Sequence, residues 1–442
     1  MSPASNPRKE VDVLVVGAGV LGVTTAYWLS SLYDCRILLV DRESGVARHT
    51  SSRNTGVIHR PFYLNPETKK AFALSARLSY PLWHNLASAF SLPWKSVGTL
   101  EVALREDDVP LLEKYVQWGM DNGMEETELE LLDTRSVKSV EPEVECRAAL
   151  HSKTDASVDF GKFTACVHRL AQNEGLSFQG GLQVSSLKAE GATLDVSFSS
   201  DNLLAGIRCN LLINAAGGGS VDIAHMMGLA SEYSTLNFRG EYWVVDEPFG
   251  SRVGRNVYSL PRHPRFPFLD PHFVVRPDGV RQIGPNAVMV TGPYVYEGLG
   301  LRSLSRLFAV PNGPKLSLLS DADFLSMVAS EWHTSLSKKA MCERVRRFIP
   351  GLDHRVLNLR GISGVRASVV GKEGFVPEAI LVQDERSVHV LNYNSPGATG
   401  APSYSASLVA KLQESGLLDG LRRKPYSPVG RIWDFDRAAG LT

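Results

Sequence analysis

Three glycines near the start of the chain are the first residues whose types and spacing could do chemistry. Gly17, Gly19 and Gly22 follow the apolar run 13–16 and precede the helix-like run VTTAYWLSSLY. A tight glycine turn between a strand and a helix lets the backbone approach a pyrophosphate, which the free amides of the helix N-terminus stabilise. Because G-x-G-x-x-G also occurs by chance, the alternative is a plain turn.

An acidic residue at the end of the next apolar run supports the dinucleotide interpretation. Asp41 closes the run CRILLVD. It stands roughly 20 residues beyond the last glycine, where a carboxylate can accept hydrogen bonds from ribose hydroxyls. A solvated strand end would explain Asp41 alone. Strand, glycines, helix, strand and acid in this order predict a dinucleotide-binding unit.

Composition excludes several classes of partner. The 442 residues suffice for two or three cores, and 43% hydrophobic with 21% charged residues is typical of globular proteins. Since 47 basic residues balance 47 acidic ones, we expect no nucleic-acid partner. The five scattered cysteines include no C-x-x-C pair, which disfavours a zinc site or a disulfide framework. We therefore predict no metal.

The sequence offers no targeting or membrane-spanning signal. The first ten residues, MSPASNPRKE, are polar, and no apolar run is long enough to cross a bilayer. We therefore predict a cytoplasmic protein with no transmembrane segment. The run SKKAMCERVRRFI predicts a helix with an apolar face, which leaves open peripheral membrane association or inward packing.

The elements that must position these residues alternate between helix-like and strand-like runs. Apolar residues at helical spacing predict helices over 66–90 and 106–123, and another that begins near Asp159 and ends at Gly175. The run NLLINAAGG, 210–218, predicts a strand ending in small residues, either beside a cofactor or at another plain turn.

The second half of the chain predicts an insertion. From 236 to about 340 the sequence is rich in strands, aromatic residues and prolines, which favours a second domain. The run 387–412 then reads as strand, glycine-rich turn and helix. The first domain is therefore expected to be discontinuous in sequence.

Longer motifs carry more information than the glycines. They include VVGAGVLG, VGTLEVA, VDFGKF, LINAAG, RRFIPGL and NSPGATGAPSYSAS, and the most specific are 239–244 and 258–286. With these motifs, nearly the whole chain resembles the FAD-dependent L-2-hydroxyglutarate dehydrogenases and oxidases, within the D-amino-acid-oxidase-like flavoprotein group. The resemblance implies an α/β fold: a Rossmann-like FAD domain of the two-dinucleotide-binding type, with an inserted α+β substrate domain on an antiparallel sheet.

We place the domain boundaries from this resemblance. The FAD-binding domain is expected to comprise 10–62, 150–232 and 342–425, and the substrate domain 63–149 and 233–341. Residues 426–442 are expected to form a C-terminal tail.

The resemblance implies oxidation of a 2-hydroxy acid, foremost L-2-hydroxyglutarate to 2-oxoglutarate, by hydride transfer to N5 of a non-covalently bound flavin. Oxygen, a quinone or a carrier protein could each be the electron acceptor. Alternatives of the same fold are a glycerol-3-phosphate dehydrogenase and an oxidase of amino acids or N-substituted glycines. A flavin-binding module without turnover is the alternative from another class.

Oxidising an alcohol requires a base, and binding carboxylates requires cations. His59, in GVIH, and His272, in PHFVVRPDG, are both candidate bases, and sequence ranks neither. Arginine binds carboxylates with a planar fork. The candidate substrate-binding residues are Arg60, Arg239, Tyr258, Arg276 and Arg366. Arg60 and Pro61 stand where the family has small residues, and Arg60 would also suit a phosphate.

The candidate cofactor-binding residues come from four stretches of sequence. They are Gly17, Gly19, Val20, Leu21, Gly22, Asp41, Arg42, Ser51, Ser52, Arg53, Asn54, Thr55, Ala215, Ala216, Gly217, Arg366, Gly397, Ala398 and Thr399. A flexible polar loop over 51–55 and ordinary helix caps near 395–399 are the alternatives.

Overall fold

The computed structural model describes residues 9–199, 206–262, 265–268, 270–300 and 313–441. Outside them lie residues 1–8, on which the location prediction partly rests, and residues 263, 264 and 269 of the motif 258–286. The remaining gaps, 200–205, 301–312 and 442, lie within the predicted domains and tail.

The helices of the described part are α1 Val20–Leu32, α2 Lys70–Phe90, α3 Val109–Asp121, α4 Thr134–Val140, α5 Phe160–Asn173, α6 Ser220–Met226, α7 Gly313–Ser320, α8 Ala322–Leu336, α9 Lys338–Arg346, α10 Gly397–Glu414 and α11 Phe435–Ala439. The strands are β1 Lys9–Val16, β2 Tyr33–Asp34, β3 Ile37–Val40, β4 Val57–Ile58, β5 Trp94–Ser96, β6 Thr99–Ala103, β7 Leu129–Asp133, β8 Ala148–Ser152, β9 Ala156–Val158, β10 Ser177–Gln179, β11 Gln183–Glu190, β12 Thr193–Ser199, β13 Ile207–Asn214, β14 Ser234–Gly240, β15 Trp243–Val245, β16 Asn256–Ser259, β17 His272–Val275, β18 Arg281–Gly284, β19 Val288–Val290, β20 Gly364–Gly371, β21 Gly374–Phe375, β22 Ile380–Gln383, β23 Ser387–Leu391 and β24 Arg422–Arg423.

An eight-stranded sheet carries the first glycine motif. Its parallel strands β10, β3, β1 and β13 lie side by side, and β23 joins the carboxyl half of β13 in the same direction. Val13 and Val15 face a core shared with α1, α5 and α10, whereas Leu14 and Val16 face a second core under β11 and β12. Both faces of β1 are therefore covered, which explains its continuous apolar run.

The glycine turn brings α1 into contact with the ends of β1 and β13. Gly17 has a φ of +104°, and a Cβ there would lie 2.5 Å from the carbonyl oxygen of Ala215. A Cβ on Gly22 would lie 1.8 Å from the carbonyl oxygen of Gly17. Only glycine fits at these two positions, because the backbone segments themselves touch.

A seven-stranded sheet forms the main body of the substrate region. Its order is β15-β18-β17-β16-β6-β8-β7, and its neighbouring strands run antiparallel except for the parallel pair β16 and β6. The smaller sheets are β19-β14-β20-β21, β4-β9-β5 and β2-β24. Two of the smaller sheets bring strands from both predicted domains together, β14 with β20 and β4 with β5.

The predicted elements and the observed ones agree closely. The α/β fold with a parallel glycine-bearing sheet and a separate antiparallel sheet is confirmed. α2 begins at Lys70 rather than at 66, because the Asn65 side chain first accepts hydrogen bonds from the amides of Glu67 and Thr68 in a turn. The helix after Asp159 is α5, and the Asp159 carboxylate caps it by accepting from Lys162 N.

The packing differs from the predicted domain boundaries at several places. Residues 342–357, predicted to open the last FAD-binding segment, pack into the core of the seven-stranded sheet, and β20 pairs with β14. α2, predicted in the substrate domain, packs instead on the core of the eight-stranded sheet. Trp433 and Phe435 are buried in that same core, so 426–442 contains a packed segment rather than a tail.

The helix predicted over SKKAMCERVRRFI is α9, and its apolar face packs inward. Met341, Cys342 and Val345 are fully buried in the core of the seven-stranded sheet. In the part of the chain described, no helix combines the length and apolarity that crossing a bilayer requires.

We expect Gly17→Ala to destabilise the protein more than Gly175→Ala. The two glycines have nearly equal positive φ values, +104° and +103°, so left-handed strain costs about 1–2 kcal/mol at both. A Cβ at position 175 meets nothing within 4 Å, whereas one at 17 meets the Ala215 carbonyl. Overpacking should add about 1–3 kcal/mol at Gly17.

The measurement is the free energy of unfolding of both variants in urea. Equal losses of stability in the two variants would show that the close contact between Gly17 and the end of β13 adds nothing to the cost of the substitution.

Candidate active site

One long cavity, with a volume of about 420 Å³, joins the glycine turn to the substrate region. One end is lined by 16–17, 19–21, 41–42 and 215–217, and the middle by 48–51, 53–57 and 394–399. His59, Tyr258, His272 and Arg366 line the other end. The structure thus brings to one cavity most of the predicted cofactor residues, both predicted catalytic histidines and two of the five predicted substrate-binding residues.

The glycine end of the cavity presents an open helix N-terminus. Gly19 is the N-cap of α1 and carries no side chain to bond its amides, although Val20 N donates to Ser51 Oγ at 2.9 Å. Asp41 Oδ2 accepts from Ala18 N at 2.6 Å, and Oδ1 accepts from Glu43 N. Burial raises the pKa of Asp41, while the two backbone amides oppose that change. An anion acceptor and a fixed carboxylate therefore stand side by side.

The middle of the cavity is closed by the start of α10. Pro396 caps this helix without a side-chain hydrogen bond, so the nearby Ser and Thr residues are not its caps. Thr399 Oγ1 instead accepts from His59 N at 3.3 Å and donates to Val57 O. These two hydrogen bonds connect the glycine-rich segment to β4 and to His59, the residue that follows β4.

His59 is held by a buried carboxylate. Its Nδ1 lies 3.1 Å from Asp155 Oδ2, and Asp155 is fully buried. A carboxylate only accepts, so His59 donates to Asp155 through Nδ1, and its Nε2 faces Tyr258, whose hydroxyl is 3.5 Å away. This arrangement suits a base, since the ring is oriented and the proton-accepting nitrogen faces the cavity wall.

His272 has a different environment. Its ring stacks on Tyr258 with centroids 3.8 Å apart, and Nδ1 lies 3.2 Å from the carbonyl oxygen of Asp270. Burial lowers the pKa of His272 to about 3. His272 is therefore neutral and donates through Nδ1, and its buried Nε2 has no hydrogen-bond partner among the described residues. The structure thus favours His59 as base and leaves His272 as a hydrogen-bond acceptor.

Arg366 supplies the positive charge at this end. Burial lowers the pKa of its guanidinium, and the hydroxyls of Tyr63 and Tyr242 oppose that change. Its Nη1 donates to the carbonyl oxygen of Pro267. A guanidinium stays protonated even when buried, so its remaining donors favour an anionic group in the cavity.

Three predicted substrate-binding arginines lie outside the cavity, contrary to expectation. Arg60 pairs with Glu128 at 2.8 Å and lies over the ring of Tyr80. Arg239 pairs with Glu241 at 2.9 Å.

Arg276 is the third of these arginines. Its guanidinium donates to the carbonyl oxygens of Asn54 and Thr55 and so supports the loop that contains them. Gly22 and Ser52 were also predicted to contact the cofactor. Gly22 packs instead against the backbone of Gly17 behind the glycine turn, and Ser52 packs against Gly161.

Two carboxyl groups near the site were not among the residues predicted from the sequence. Asp155 stands 96 residues from His59, and only its position just before the motif VDFGKF would have pointed to it. Glu101 on β6 lies opposite Tyr258 in register and is buried. Burial first, and then the charge of Asp155, raises the pKa of Glu101 to about 8.

The residues of the cavity fit FAD. The glycine turn, the open N-terminus of α1 and Asp41 suit a dinucleotide, and the cavity continues without a break to His59 and His272. The buried, unpartnered Nε2 of His272 marks the far end as a place where a bound group completes the hydrogen bonding.

We expect His272→Gln to flatten the dependence of stability on pH. The pKa of His272 is lowered in the folded protein, so its contribution to stability is complete above the unfolded value of about 6.5 and is lost as pH falls towards 3. Urea unfolding at pH 7 and pH 5 measures this loss, with His84→Gln, an exposed histidine, as the matched control.

If wild type and His272→Gln lose the same stability between these pH values, His272 is not the neutral group that we describe.

Known proteins share both the sequence pattern and the fold of this chain. The sequence model of the family of FAD dependent oxidoreductases (DAO) matches residues 12–412. The chain is 27% identical over 428 residues to mitochondrial L-2-hydroxyglutarate dehydrogenase of Nematostella vectensis, covering 92% of this chain and 91% of that protein. It is 27% identical over 407 residues to L-2-hydroxyglutarate dehydrogenase of Indibacter alkaliphilus, covering 90% and 98%.

Among solved structures, the fold is similar to dithionite-reduced L-α-glycerophosphate oxidase of Mycoplasma pneumoniae with FAD bound. The TM-score is 0.69 and the identity 23%, over 95% of this chain and 97% of the other. The resemblance and the fold class expected from the motifs are confirmed, and so is the dependence on FAD. Because the family model spans nearly the whole sequence, this chain belongs to the family of FAD-dependent oxidoreductases.

Proposed function

We propose that this protein oxidises a 2-hydroxy acid, foremost L-2-hydroxyglutarate to 2-oxoglutarate. The observation that carries the proposal is the pairing, at one end of the cavity, of an oriented base with a half-buried cation: His59 held by Asp155, and Arg366. The similarity to dehydrogenases of L-2-hydroxyglutarate over about 90% of the chain supports this choice of substrate.

The first role of the chain is to bind and orient the substrate. The Arg366 guanidinium can hold a carboxylate through two N–H donors, and the neighbouring hydroxyls of Tyr242 and Tyr258 line the same wall. His272 Nε2 is an acceptor with no hydrogen-bond partner among the described residues, and it suits a donor of the bound molecules other than the reacting hydroxyl. Since Tyr242, Tyr258 and His272 are buried and Arg366 is half-buried, the hydrogen bonds form with little competition from water.

The second role is to accept the hydroxyl proton. His59 takes that proton at Nε2, and the resulting imidazolium is stabilised by the Asp155 carboxylate beside Nδ1. FAD, held by the glycine turn and the start of α10, would supply the redox chemistry as acceptor of the hydride from the carbon that carries the hydroxyl. Asp155 also fixes which nitrogen of His59 carries the proton before the reaction, so we regard it as a positioning residue.

Oxidation of glycerol 3-phosphate is the second candidate function. The FAD-bound structural relative is an oxidase of L-α-glycerophosphate, and a guanidinium also binds phosphate. Arg60, which the sequence offered as a phosphate ligand, has its guanidinium engaged by Glu128 outside the cavity. Arg366 lines the cavity and would serve either anion.

A flavin-binding module without turnover has weaker support. It would require both histidines to face away from the cofactor, yet His59 and His272 both line the cavity. Oxidation of an amine is compatible with the same fold and stays a prediction from the sequence. A cytoplasmic location, peripheral membrane association and dissociable FAD also stay predictions from the sequence, as do oxygen, a quinone or a carrier protein as acceptor.

Anaerobic titration of the holoenzyme tests the substrate. We expect L-2-hydroxyglutarate to bleach the flavin absorbance at about 450 nm, and D-2-hydroxyglutarate and glycerol 3-phosphate to leave it unchanged, because the base and the cation fix one face of the substrate. Bleaching by glycerol 3-phosphate alone would replace the proposed substrate with the second candidate.

Two substitutions separate the proposed roles of base and cation. His59→Asn should slow flavin reduction at saturating substrate by about 10²–10⁴-fold and leave the substrate Kd nearly unchanged. Arg366→Ala should raise the Kd at least tenfold, because a hydrogen bond to a charged group contributes about 1.5–3 kcal/mol. Stopped-flow reduction at several substrate concentrations gives both quantities.

Arg60→Lys is the matched control for Arg366→Ala, since Arg60 lies outside the cavity. A loss of binding in the control and none in Arg366→Ala would reverse our assignment of the two arginines.

A further inference from the structure

A segment of the substrate region closes over the glycine end of the cavity. Residues 291–300, which we call the strap, run between β19 and the part of the chain beyond 300. Pro293 and Tyr294 of the strap line the cavity opposite the small residues that follow β13. A Cβ on Gly218 would lie 2.4 Å from Pro293 Cβ, and one on Gly219 would lie 3.3 Å from the Tyr294 hydroxyl. The strap therefore touches the cofactor side directly.

Cationic side chains of the opposite wall stack on the two tyrosines of the strap. The guanidinium of Arg42 lies 4.0 Å from the centre of the Tyr294 ring, and that of Arg53 lies 4.3 Å from the centre of the Tyr296 ring. Both arginines line the cavity and follow the dinucleotide motif in sequence. Arg42 Nε pairs with Glu43 Oε1 at 3.3 Å, and Arg53 donates from Nε to Arg48 O and from Nη1 to Ser363 O. Stacking holds each guanidinium in orientation, and its remaining N–H groups, which lie in its own plane, stay available to a phosphate.

His49 adds a third link between the two sides. Its Nδ1 lies 2.5 Å from the Tyr296 hydroxyl, and its Nε2 lies 2.9 Å from Glu43 Oε1. The His49 ring also packs on Tyr294 with centroids 4.6 Å apart. One imidazole thus contacts both tyrosines and the loop after Asp41.

The strap has a fixed shape, because it is bonded to itself and to the substrate region. Thr291 Oγ1 donates to the carbonyl oxygen of Gly300 at 2.6 Å. Arg239 Nη1 donates to that of Gly298 at 2.6 Å, and Ser363 Oγ donates to that of Tyr296 at 3.0 Å. The role of Arg239, which the sequence assigned to the substrate, is here to hold the strap.

We propose that the strap is the cofactor-retaining element of this protein. Tyr294 and Tyr296 hold Arg42, His49 and Arg53 against the phosphate-bearing half of FAD, and FAD leaves only after these contacts open. Because the contacts join the substrate region to the eight-stranded sheet, release of FAD requires the two sides to part at this point. The inference concerns cofactor retention and does not depend on which substrate is oxidised.

The test is the rate of FAD release from the purified holoenzyme, followed by the rise of flavin fluorescence after dilution. We expect Tyr294→Ala to release FAD at least tenfold faster than wild type. Tyr294→Phe, which keeps the ring, should stay within about twofold, because the stacking survives. Leu299→Ala is the matched control, since Leu299 lies in the same strap with its side chain exposed.

A double-mutant cycle distinguishes the strap from independent contacts with the cofactor. Arg42→Lys keeps the charge but loses the planar stack, so it should also release FAD faster. If Tyr294 acts by holding Arg42, the double variant should be little faster than the faster single variant, because one contact is lost twice. Multiplied effects in the double variant would overturn this mechanism, as would a Tyr294→Ala rate equal to that of Leu299→Ala.

Circular dichroism of each apoprotein shows whether a variant folds. Should Tyr294→Ala fail to fold, Arg42→Lys alone decides: release at the wild-type rate would overturn the proposal, and faster release would support it. No substrate enters these measurements of FAD release. A negative result in them therefore does not affect the proposed oxidation of a 2-hydroxy acid, and a negative result in the substrate titration does not affect this inference.

Discussion

The buried carboxylate of Asp155 is the interaction on which the candidate active site depends. It accepts hydrogen bonds from the His59 ring, from Arg60 N, from the Thr99 hydroxyl on β6 and from the Ser152 hydroxyl on β8. These donors come from the segment that follows β4 and from the seven-stranded sheet. A buried carboxylate is tolerated only when donors surround it, so this one group fixes the two regions relative to each other. It also decides the orientation of the His59 imidazole.

The substrate end of the cavity combines groups that burial would normally exclude. Arg366 is a half-buried cation, His272 is held neutral by burial, and the buried Nε2 of His272 has no hydrogen-bond partner among the described residues. Both groups are unfavourable without a ligand, because unpaired polar groups lose their hydration in the interior. An anionic group beside Arg366 and a hydrogen-bond donor beside His272 relieve the two deficits. A bound carboxylate or phosphate meets the first need, and the donor to His272 must differ from the hydroxyl proton that His59 accepts.

Most residues predicted for the cofactor line one cavity, because the requirements of a dinucleotide turn are local. A strand, a close glycine turn and a helix follow one another in sequence, and Gly17 needs both a positive φ and the absence of a Cβ. Three of the predicted arginines lie outside the cavity, since a guanidinium binds a substrate carboxylate and a protein carboxylate by the same chemistry. Arg60 forms an ion pair with Glu128, and Arg239 forms one with Glu241. The spacing of residues in the sequence does not reveal such partners. Asp155 was missed for the same reason.

The packing departs from the predicted domain boundaries where distant segments share one core. Trp433 lies in the same aromatic cluster as Trp28, and its indole donates to Leu82 O across 351 residues of chain. The burial of Trp433 has a consequence for biosynthesis. The core that packs on the eight-stranded sheet includes Trp433, so it cannot be complete before residue 433 has been synthesised. Until then, α1 and α2 of the nascent chain stay partly uncovered. Chaperones that bind apolar helices have their longest opportunity at this face.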